Sequence, residues 1–371
     1  MIRYLQIENF KSLKMAAIPL EKLNLFFGLN GMGKSSVIQV LLLLRQSYWS
    51  GRTRGLYGLY INGELIRLGT STDILCQSAE EERLRFLVGF EADRKVDVDY
   101  PYFGNPLPTG VLKVGDLSAS NVPFAEEEPL FSKGFCYLGA EHIGPRNEYR
   151  VPQLDHEGIN FLGNNGEFAV PFLALQGDRF QVPVELCLTS GKTNRLFDQV
   201  SAWISELSPG VKISARYMPF EERAKLDISY SGRRLDSAPF LPVNVGFGIP
   251  YVLPLVIALL TTEKNGLLLI ENPESHLHPK GQARMADLIA RVASRGTQVI
   301  CESHSDHIIN GIRIAVKEEK LSCGDLSIIY FDKDEDQVTH TVEIAVDKNG
   351  NLSDYPEGFL DEWGIQMSAL L

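Results

Sequence analysis

Residues 28–36 read Gly28-Leu29-Asn30-Gly31-Met32-Gly33-Lys34-Ser35-Ser36. This stretch has the phosphate-loop pattern of a glycine, four residues and then Gly-Lys-Ser. The apolar run before it, at 23–27, predicts a strand, and an apolar helical pattern opens at Ser35. A strand, a glycine-rich turn and a helix start bring backbone N–H groups and the positive end of a helix dipole to one place. The stretch therefore predicts an α/β protein that binds a nucleotide.

The residue types of the loop suit a phosphate group and a metal ion. Glycines such as Gly31 and Gly33 let the backbone close around a phosphate where a Cβ would intrude. Lys34 is placed to neutralise charge on the β- and γ-phosphates, and the Ser35 hydroxyl is placed to bind Mg²⁺. Asn30 and Ser36 complete the predicted binding loop. The loop therefore predicts a nucleotide with β- and γ-phosphates, bound together with Mg²⁺.

Composition limits the class of protein. The chain has 371 residues and a formal net charge of −11, which argues against a broadly basic protein that coats nucleic acid. Five scattered cysteines suggest neither a zinc knuckle nor a disulfide framework, and reduced thiols fit a cytoplasmic location. The N-terminus lacks a signal-peptide layout, and the apolar run 249–260 is too short to span a bilayer. We expect a soluble protein without membrane contact.

Between the loop and the last third of the chain, the signals are mixed. Alternating apolar residues predict a strand at 2–10 and antiparallel strands from Arg83 to Tyr102. Residues 103–134 are rich in Gly, Pro and acid and predict a long surface loop, followed by a strand from Phe135 to Leu138. A helix is predicted from Leu196 to Leu207. No sustained heptad is present, so we expect no coiled coil.

The last third has the pattern of a βαβ unit. A wholly apolar run leads to Glu271, a helix is predicted from Pro279 to about Ser294, and a second apolar run ends at Cys301. A right-handed crossover places both strand tips at the same sheet edge, where ligands bind in open parallel sheets. We therefore expect the phosphate loop, Glu271 and His304 to converge.

Three residues at that edge are candidates for phosphoryl chemistry. Glu271 is the candidate for holding Mg²⁺, and Glu274 is the other acid in the segment. His304 is placed to sense a γ-phosphate, because its two ring nitrogens can bridge a phosphate oxygen and a carbonyl. The alternative for Glu271 is that it only caps a strand.

A second interpretation of this segment is a zinc site. The four histidines His276, His278, His304 and His307 lie near Glu274 and Asp306 in the sequence. No His-Glu-x-x-His pattern supplies a water-activating glutamate, and Pro279 directly follows His278. The nucleotide interpretation is favoured.

Taken together, the motifs resemble a known family. The opening Ile7-Glu8-Asn9-Phe10-Lys11-Ser12, the phosphate loop, Glu271-Asn-Pro-Glu-Ser-His-Leu-His-Pro279 and Glu302-Ser-His-Ser305 resemble the ABC-type ATPase heads of the SMC-like and RecF-like class. Within it, the chain is similar to OLD-like AAA ATPases of bacterial anti-phage systems, such as the Septu ATPase subunit. The segment from Asp332 to Glu362 resembles a C-terminal domain of unknown function in those ATPases.

The resemblance implies a single head with a phosphate-loop sheet, an antiparallel β subdomain and a helical lobe. Its parts would be 1–150 with the phosphate loop and β subdomain, 151–240 as a helical or mixed lobe, 241–325 with the signature, Walker B and His-switch segments, and 326–371 as the C-terminal subdomain. It further implies a homodimer or higher oligomer in which Asn244–Gly248 of one chain, including Gly246 and Gly248, caps ATP held by Lys34 of the other.

Two departures from the wider ABC pattern affect catalysis. The strand tip is Glu271-Asn272 where Asp-Glu is usual, and an amide can orient a water but cannot accept its proton. Ile249-Pro250 stands where a signature serine normally follows the glycine turn. Both changes predict tight ATP binding with slow hydrolysis, as in a switch.

In the OLD group, a Toprim nuclease domain often follows the head. The acidic stretch Asp332-Lys-Asp334-Glu335-Asp336 has part of the Toprim spacing, but too few residues remain for that domain. A solvated hairpin turn is the favoured interpretation, and we expect no nuclease activity in this chain.

The amino-acid sequence is compatible with three functions. The first is an ATP-dependent regulatory subunit of an anti-phage defence complex that controls a separately encoded nuclease or toxin, with DNA as a further candidate partner. The second is a RecF-like DNA-repair ATPase, which predicts salt-sensitive DNA binding. The third is a pseudo-ATPase scaffold.

Overall fold

The computed structural model describes residues 1–50, 55–101, 111–113, 124–152, 160–232, 235–246, 248–356, 358–359 and 362–370. The chain divides into two compact units. The first unit comprises Met1–Phe135 and Cys323–Leu371, and the second comprises Cys136–Ser322. The division into four parts that the family resemblance implies stays a prediction.

Strands and helices alternate along much of the described chain. The strands are β1 (Ile2–Phe10), β2 (Leu13–Pro19), β3 (Leu23–Phe27), β4 (Gly58–Tyr60), β5 (Arg83–Phe90), β6 (Lys95–Pro101), β7 (Val111–Lys113), β8 (Phe135–Leu138), β9 (Tyr149–Arg150), β10 (Val211–Met218), β11 (Arg223–Tyr230), β12 (Leu267–Glu271), β13 (Gln298–Glu302), β14 (Leu326–Lys333) and β15 (Thr339–Ile344). The helices are α1 (Lys34–Ser50), α2 (Ser71–Ile74), α3 (Ala169–Gln176), α4 (Leu196–Leu207), α5 (Gly248–Thr261), α6 (Pro279–Ser294), α7 (Asp306–Lys317) and α8 (Glu362–Leu370). The predicted α/β class is confirmed.

The first unit contains the predicted antiparallel subdomain. Its strands are ordered β2-β1-β5-β6, and each neighbouring pair is antiparallel. Residues of β1 and β6 alternate between buried and more exposed positions, as expected for strands with one face on a core. The predictions of a strand at 2–10 and of antiparallel strands after Arg83 are confirmed.

The strand that leads into the phosphate loop belongs to a second sheet of the first unit. Every residue of β3 is buried, and β3 pairs in parallel with β14, with Leu23 opposite Leu326. β14 continues through a tight turn into the antiparallel strand β15. The turn contains Asp334, Glu335 and Asp336, so the prediction of a hairpin turn there is confirmed.

One loop prediction is wrong in part. Residues 102–110 and 114–123 lie outside the described residues, but Ala125, Leu130 and Phe131 are fully buried. The Phe131 ring lies 4.9 Å from the ring of Tyr48 in α1. Because that contact spans a long stretch of chain, the local polar composition around 103–134 did not indicate it.

The second unit contains the predicted βαβ unit. β12 and β13 pair in parallel through the helix α6, and Glu271 lies opposite Glu302 at their carboxyl ends. β8 lies on the other side of β12. Both β12 and β13 are buried along their whole length, as the apolar runs predicted.

The second unit also contains the helical lobe and a small sheet. β10 and β11 form an antiparallel hairpin with the short strand β9 beside β11. The helix α4 has the bounds that the sequence predicted and packs against α5 and α6. Among the helices of the described residues, none combines the length and the hydropathy that a membrane span requires.

Candidate nucleotide-binding site

The phosphate loop joins β3 to α1 and depends on three glycines. Gly28, Gly31 and Gly33 have φ values of 137°, 83° and 102°, a range that residues with a Cβ rarely adopt. A Cβ on Gly28 would lie 2.3 Å from the carbonyl oxygen of Phe331, whereas a Cβ on Gly31 would meet no atom within 4 Å. The loop is therefore packed at its start and open at its centre, where Asn30 and Gly31 are exposed.

The side chain of Lys34 forms hydrogen bonds with the first residues of its own loop. Its side chain is 2% exposed, and its Nζ donates hydrogen bonds of 2.8 Å to the carbonyl oxygens of Gly28 and Leu29. The first turn of α1 contains no acidic side chain, so the helix does not neutralise its own positive end. Ser35 is half-buried, and the backbone N–H of Ser36 donates to Gly33. This arrangement fits a phosphate group, because a cation and backbone amides surround an open glycine turn.

Within the second unit, the end of β12 carries a buried carboxylate. Glu271 is 9% exposed, and the hydroxyl of Tyr137 on β8 donates to its Oε1 over 2.7 Å. Burial raises the pKa of Glu271 to about 7; the Tyr137 hydrogen bond opposes that rise, and the nearby Glu302 adds to it. A metal ion at this carboxylate would favour its ionised form.

Asn272 follows Glu271 in a left-handed conformation. Its φ is 52°, and its backbone N–H donates to the carbonyl oxygen of Glu302 over 2.9 Å. Its side-chain Oδ1 is buried and has no hydrogen-bond partner among the described residues. A buried acceptor without a partner is uncommon in folded proteins.

Glu274 contacts the segment that follows β13. Its carboxylate accepts a 2.8 Å hydrogen bond from the hydroxyl of Ser303 and a 2.7 Å hydrogen bond from the backbone N–H of His304. The His304 side chain is exposed, and Ser305 caps the N-terminus of α7 immediately after it. The contacts give Glu274 a positioning role, while the catalytic roles of Glu274 and His304 stay predictions.

The predicted signature turn lies just before α5. Gly246 is exposed, and a Cβ on it would meet no atom within 4 Å. Gly248 begins α5, and a Cβ there would lie 2.9 Å from the carbonyl oxygen of His276. Phe247 lies outside the described residues. Within this unit, the turn therefore approaches the segment that follows Glu271 through backbone contact.

Sequence reasoning missed two residues of this site, Tyr137 and His142. The His142 ring is 4% exposed; its Nδ1 lies 3.1 Å from the carbonyl oxygen of Tyr251 in α5, and its Nε2 lies 3.2 Å from that of Glu271. Burial lowers the pKa of His142, and a neutral imidazole donates to only one of these carbonyls. Their positions were the signal that could have indicated them. Tyr137 lies on the predicted strand from Phe135 to Leu138, and His142 lies just beyond the end of that strand.

The zinc interpretation finds no support in the described part of the chain. No group of three or more His, Cys, Asp or Glu residues there has the arrangement to hold a metal ion. The His278 ring caps α6 by accepting a hydrogen bond from the backbone N–H of Lys280. The His276 ring packs 4.3 Å from that of Tyr251.

Family models match most of the chain in three pieces. One described as "AAA ATPase domain" matches residues 1–96, and one described as "AAA domain, putative AbiEii toxin, Type IV TA system" matches residues 127–310. A third, "Protein of unknown function (DUF3696)", matches residues 321–370. No curated protein matches this chain.

Three of the solved structures that match this chain are SMC heads. An Smc head bound to the C-winged helix domain of ScpA is 17% identical, with a TM-score of 0.51, over 94% of this chain and 98% of that chain. The SMC head domain from Thermotoga maritima is 13% identical, with a TM-score of 0.47, over 93% of this chain and 99% of that chain. An Smc head with an extended coiled coil, bound to the C-terminal domain of ScpA derived from Pyrococcus furiosus, is 13% identical, with a TM-score of 0.48, over 100% of this chain and 99% of that chain.

The first of these structures shows that this chain has the fold of an SMC ATPase head. Together with the AAA matches, that fold supports an ABC-type ATPase. The closer resemblance to OLD-like ATPases and to Septu stays a prediction. So does the convergence of the phosphate loop and Glu271 on one nucleotide.

Proposed function

We propose that this chain is an ATP-binding, slowly hydrolysing switch subunit of a cytoplasmic anti-phage defence complex. In this proposal, its nucleotide state controls a separately encoded nuclease or toxin. The matched AAA domains support ATP binding, and the description of one of them as a toxin–antitoxin family supports a defence role.

The observation that carries the switch proposal is the pair Glu271-Asn272. Asn272 stands where the wider ABC pattern has a glutamate, and its side-chain oxygen is buried without a partner among the described residues. An amide cannot take the proton that the attacking water loses, and general-base catalysis typically contributes 10²–10⁴-fold. The expected result is long-lived ATP binding with slow turnover.

The residues present fit ATP and Mg²⁺. In the first unit, Asn30, Gly31, Gly33, Lys34 and Ser36 would hold the phosphates, and Ser35 is a candidate metal ligand. In the second unit, the candidate metal ligand is Glu271. When bound, Mg²⁺ would neutralise charge on the β- and γ-phosphates. Glu271 would have to lose its proton for this, which its raised pKa makes dependent on pH near neutrality.

Head-to-head dimerisation would complete the site in this proposal. The exposed Gly246 and the start of α5 at Gly248 would cap the γ-phosphate held by the partner's loop. A homodimer or higher oligomer would then form only with ATP bound, and that assembly would be the form that contacts the effector.

The test measures ATP binding, phosphate release and mass in solution for the wild type and Lys34→Ala. Wild type should bind ATP·Mg²⁺, release phosphate slowly and increase in mass, whereas Lys34→Ala should do none of these. An unchanged elution volume and unchanged partner binding with ATP would overturn the switch. ATP-stimulated, salt-sensitive DNA binding by this chain alone would favour the repair function instead, and binding without any phosphate release would favour a pseudo-ATPase.

A further inference from the structure

Two hydroxyl groups from opposite ends of the chain contact the phosphate loop. Thr339, the first residue of β15, is 1% exposed, and its Oγ1 lies 2.7 Å from Ser12 Oγ and 3.0 Å from the carbonyl oxygen of Met32. A hydroxyl has one proton and a carbonyl can only accept. Thr339 Oγ1 is the donor in both contacts, so its one proton is shared between Ser12 Oγ and the Met32 carbonyl oxygen.

The next residue of the loop packs directly on the same two hydroxyls. A Cβ on Gly33 would lie 2.7 Å from Thr339 Oγ1 and 3.2 Å from Ser12 Oγ. Gly33 has a φ of 102°, so this close approach and the backbone conformation both require glycine. The peptide that leads into Lys34 is thereby held on one side by Thr339 and Ser12.

The hairpin of β14 and β15 supports both ends of the loop. At the loop's start, the carbonyl oxygen of Phe331 in β14 fills the space where Gly28 would have a Cβ. At its end, Thr339 occupies the corresponding place beside Gly33. The backbone N–H of Thr339 also donates to the carbonyl oxygen of Ser12 over 2.8 Å, which fixes the Thr339 backbone independently of its side chain.

We infer that Thr339 and Ser12 are positioning residues that set the affinity of the phosphate loop for a nucleoside triphosphate. The inference rests on the proposed function, because it takes the loop as the triphosphate site. The Thr339 hydroxyl, which contacts both Ser12 and Met32, holds the Met32–Gly33 peptide, and with it the start of α1 and the backbone of Lys34. Without this hydroxyl, the loop must be ordered by the ligand, which costs binding free energy.

The test compares Thr339→Val, Thr339→Ser and Thr341→Val with the wild type. Valine has the shape of threonine without the hydroxyl, and serine keeps the hydroxyl. Thr341, half-buried on the same strand, is the matched control for loss of a hydroxyl from β15. The measurements are the affinity for a fluorescent ATP analogue with Mg²⁺, the KM and kcat for phosphate release, and hydrogen exchange of the amides of 31–34.

Thr339→Val should bind the analogue about tenfold more weakly, because the ligand must then order the loop, at a cost of about 1.4 kcal/mol. Its KM should rise more than its kcat falls, and exchange at 31–34 should become faster. Thr339→Ser should recover most of the affinity, and Thr341→Val should match the wild type. Equal affinity of Thr339→Val and wild type would overturn this inference alone, whereas no binding by the wild type would overturn it together with the proposed function.

Discussion

The hydroxyl of Tyr137 donates a 2.7 Å hydrogen bond to the carboxylate of Glu271, within the second unit of the chain. The two residues are 134 positions apart in the sequence. This bond is the largest influence that lowers the pKa of Glu271 against the effect of its burial. It therefore keeps part of the Glu271 population ionised near neutral pH, which is the form that the proposed metal site requires.

Replacing Tyr137 by Phe should make the Glu271 carboxylate harder to ionise. Hydrogen bonds to charged groups are worth about 1.5–3 kcal/mol, and one pKa unit corresponds to about 1.4 kcal/mol. We expect the acid limb of the pH profile for Mg²⁺-dependent phosphate release to move up by about one unit. Tyr149→Phe, which alters another buried tyrosine hydroxyl, is the control and should leave the profile in place. An unmoved profile for Tyr137→Phe would contradict this role.

Glu271→Gln should stabilise the protein at alkaline pH in the absence of nucleotide and metal. The folded-state pKa of about 7 lies above the ordinary value of 4.5, so between these values the folded state binds more protons than the unfolded state. The free energy of unfolding of the wild type therefore falls as pH rises through this window, by on the order of 3 kcal/mol.

Glutamine has no proton to lose, so the variant should escape this loss. Urea unfolding at pH 4.5 and pH 8 would measure the difference, with the exposed Glu343→Gln as the control. A stability gain over the wild type of equal size at both pH values would contradict the raised pKa.

Gly28→Ala should destabilise the first unit far more than Gly31→Ala. Both positions have positive φ, which costs a residue with a Cβ about 1–2 kcal/mol. At Gly28, the added Cβ also lies 2.3 Å from the Phe331 carbonyl oxygen, and overpacking of this kind typically costs about 1–3 kcal/mol more. At Gly31, the space is open. Urea unfolding of the two variants would measure the difference, and equal losses would show that Phe331 moves aside.

Glu274→Gln should loosen the segment that carries His304. Glutamine keeps one acceptor oxygen but loses the negative charge that strengthens the bonds from Ser303 Oγ and the His304 N–H. We expect the His304 amide to exchange its hydrogen about tenfold faster, as a loss of about 1.4 kcal/mol implies. Glu319→Gln, at an exposed position just beyond α7, is the control. Unchanged protection of the His304 amide would show that Glu274 does not hold this segment.

Local sequence signals predicted the regular elements well. The bounds of α4 and α6 agree with their predictions, because an amphipathic repeat sets the first, and Pro279 and Gly296 mark the ends of the second. The apolar runs of β12 and β13 predicted buried parallel strands, since only strands covered on both faces lack polar positions.

Contacts between distant segments could not be predicted in this way. Tyr137 and His142 reach Glu271 only because β8 lies beside β12, and no local pattern encodes that neighbour. Thr339 is an ordinary strand residue by composition, yet it contacts Ser12 from 327 positions away. The same limitation explains the buried Phe131, which follows the acidic run Glu126–Glu128 closely in the sequence.

The pairing of β3 with β14 also has a consequence for biosynthesis. Leu23 leaves the ribosome long before its partner Leu326 is translated, so a nascent chain exposes this edge of β3 during most of its synthesis. A polypeptide that terminates after the phosphate loop but before the hairpin lacks Phe331 and Thr339, which pack against Gly28 and Gly33. Incomplete translation products would therefore carry the complete phosphate-loop motif without the scaffold that shapes it.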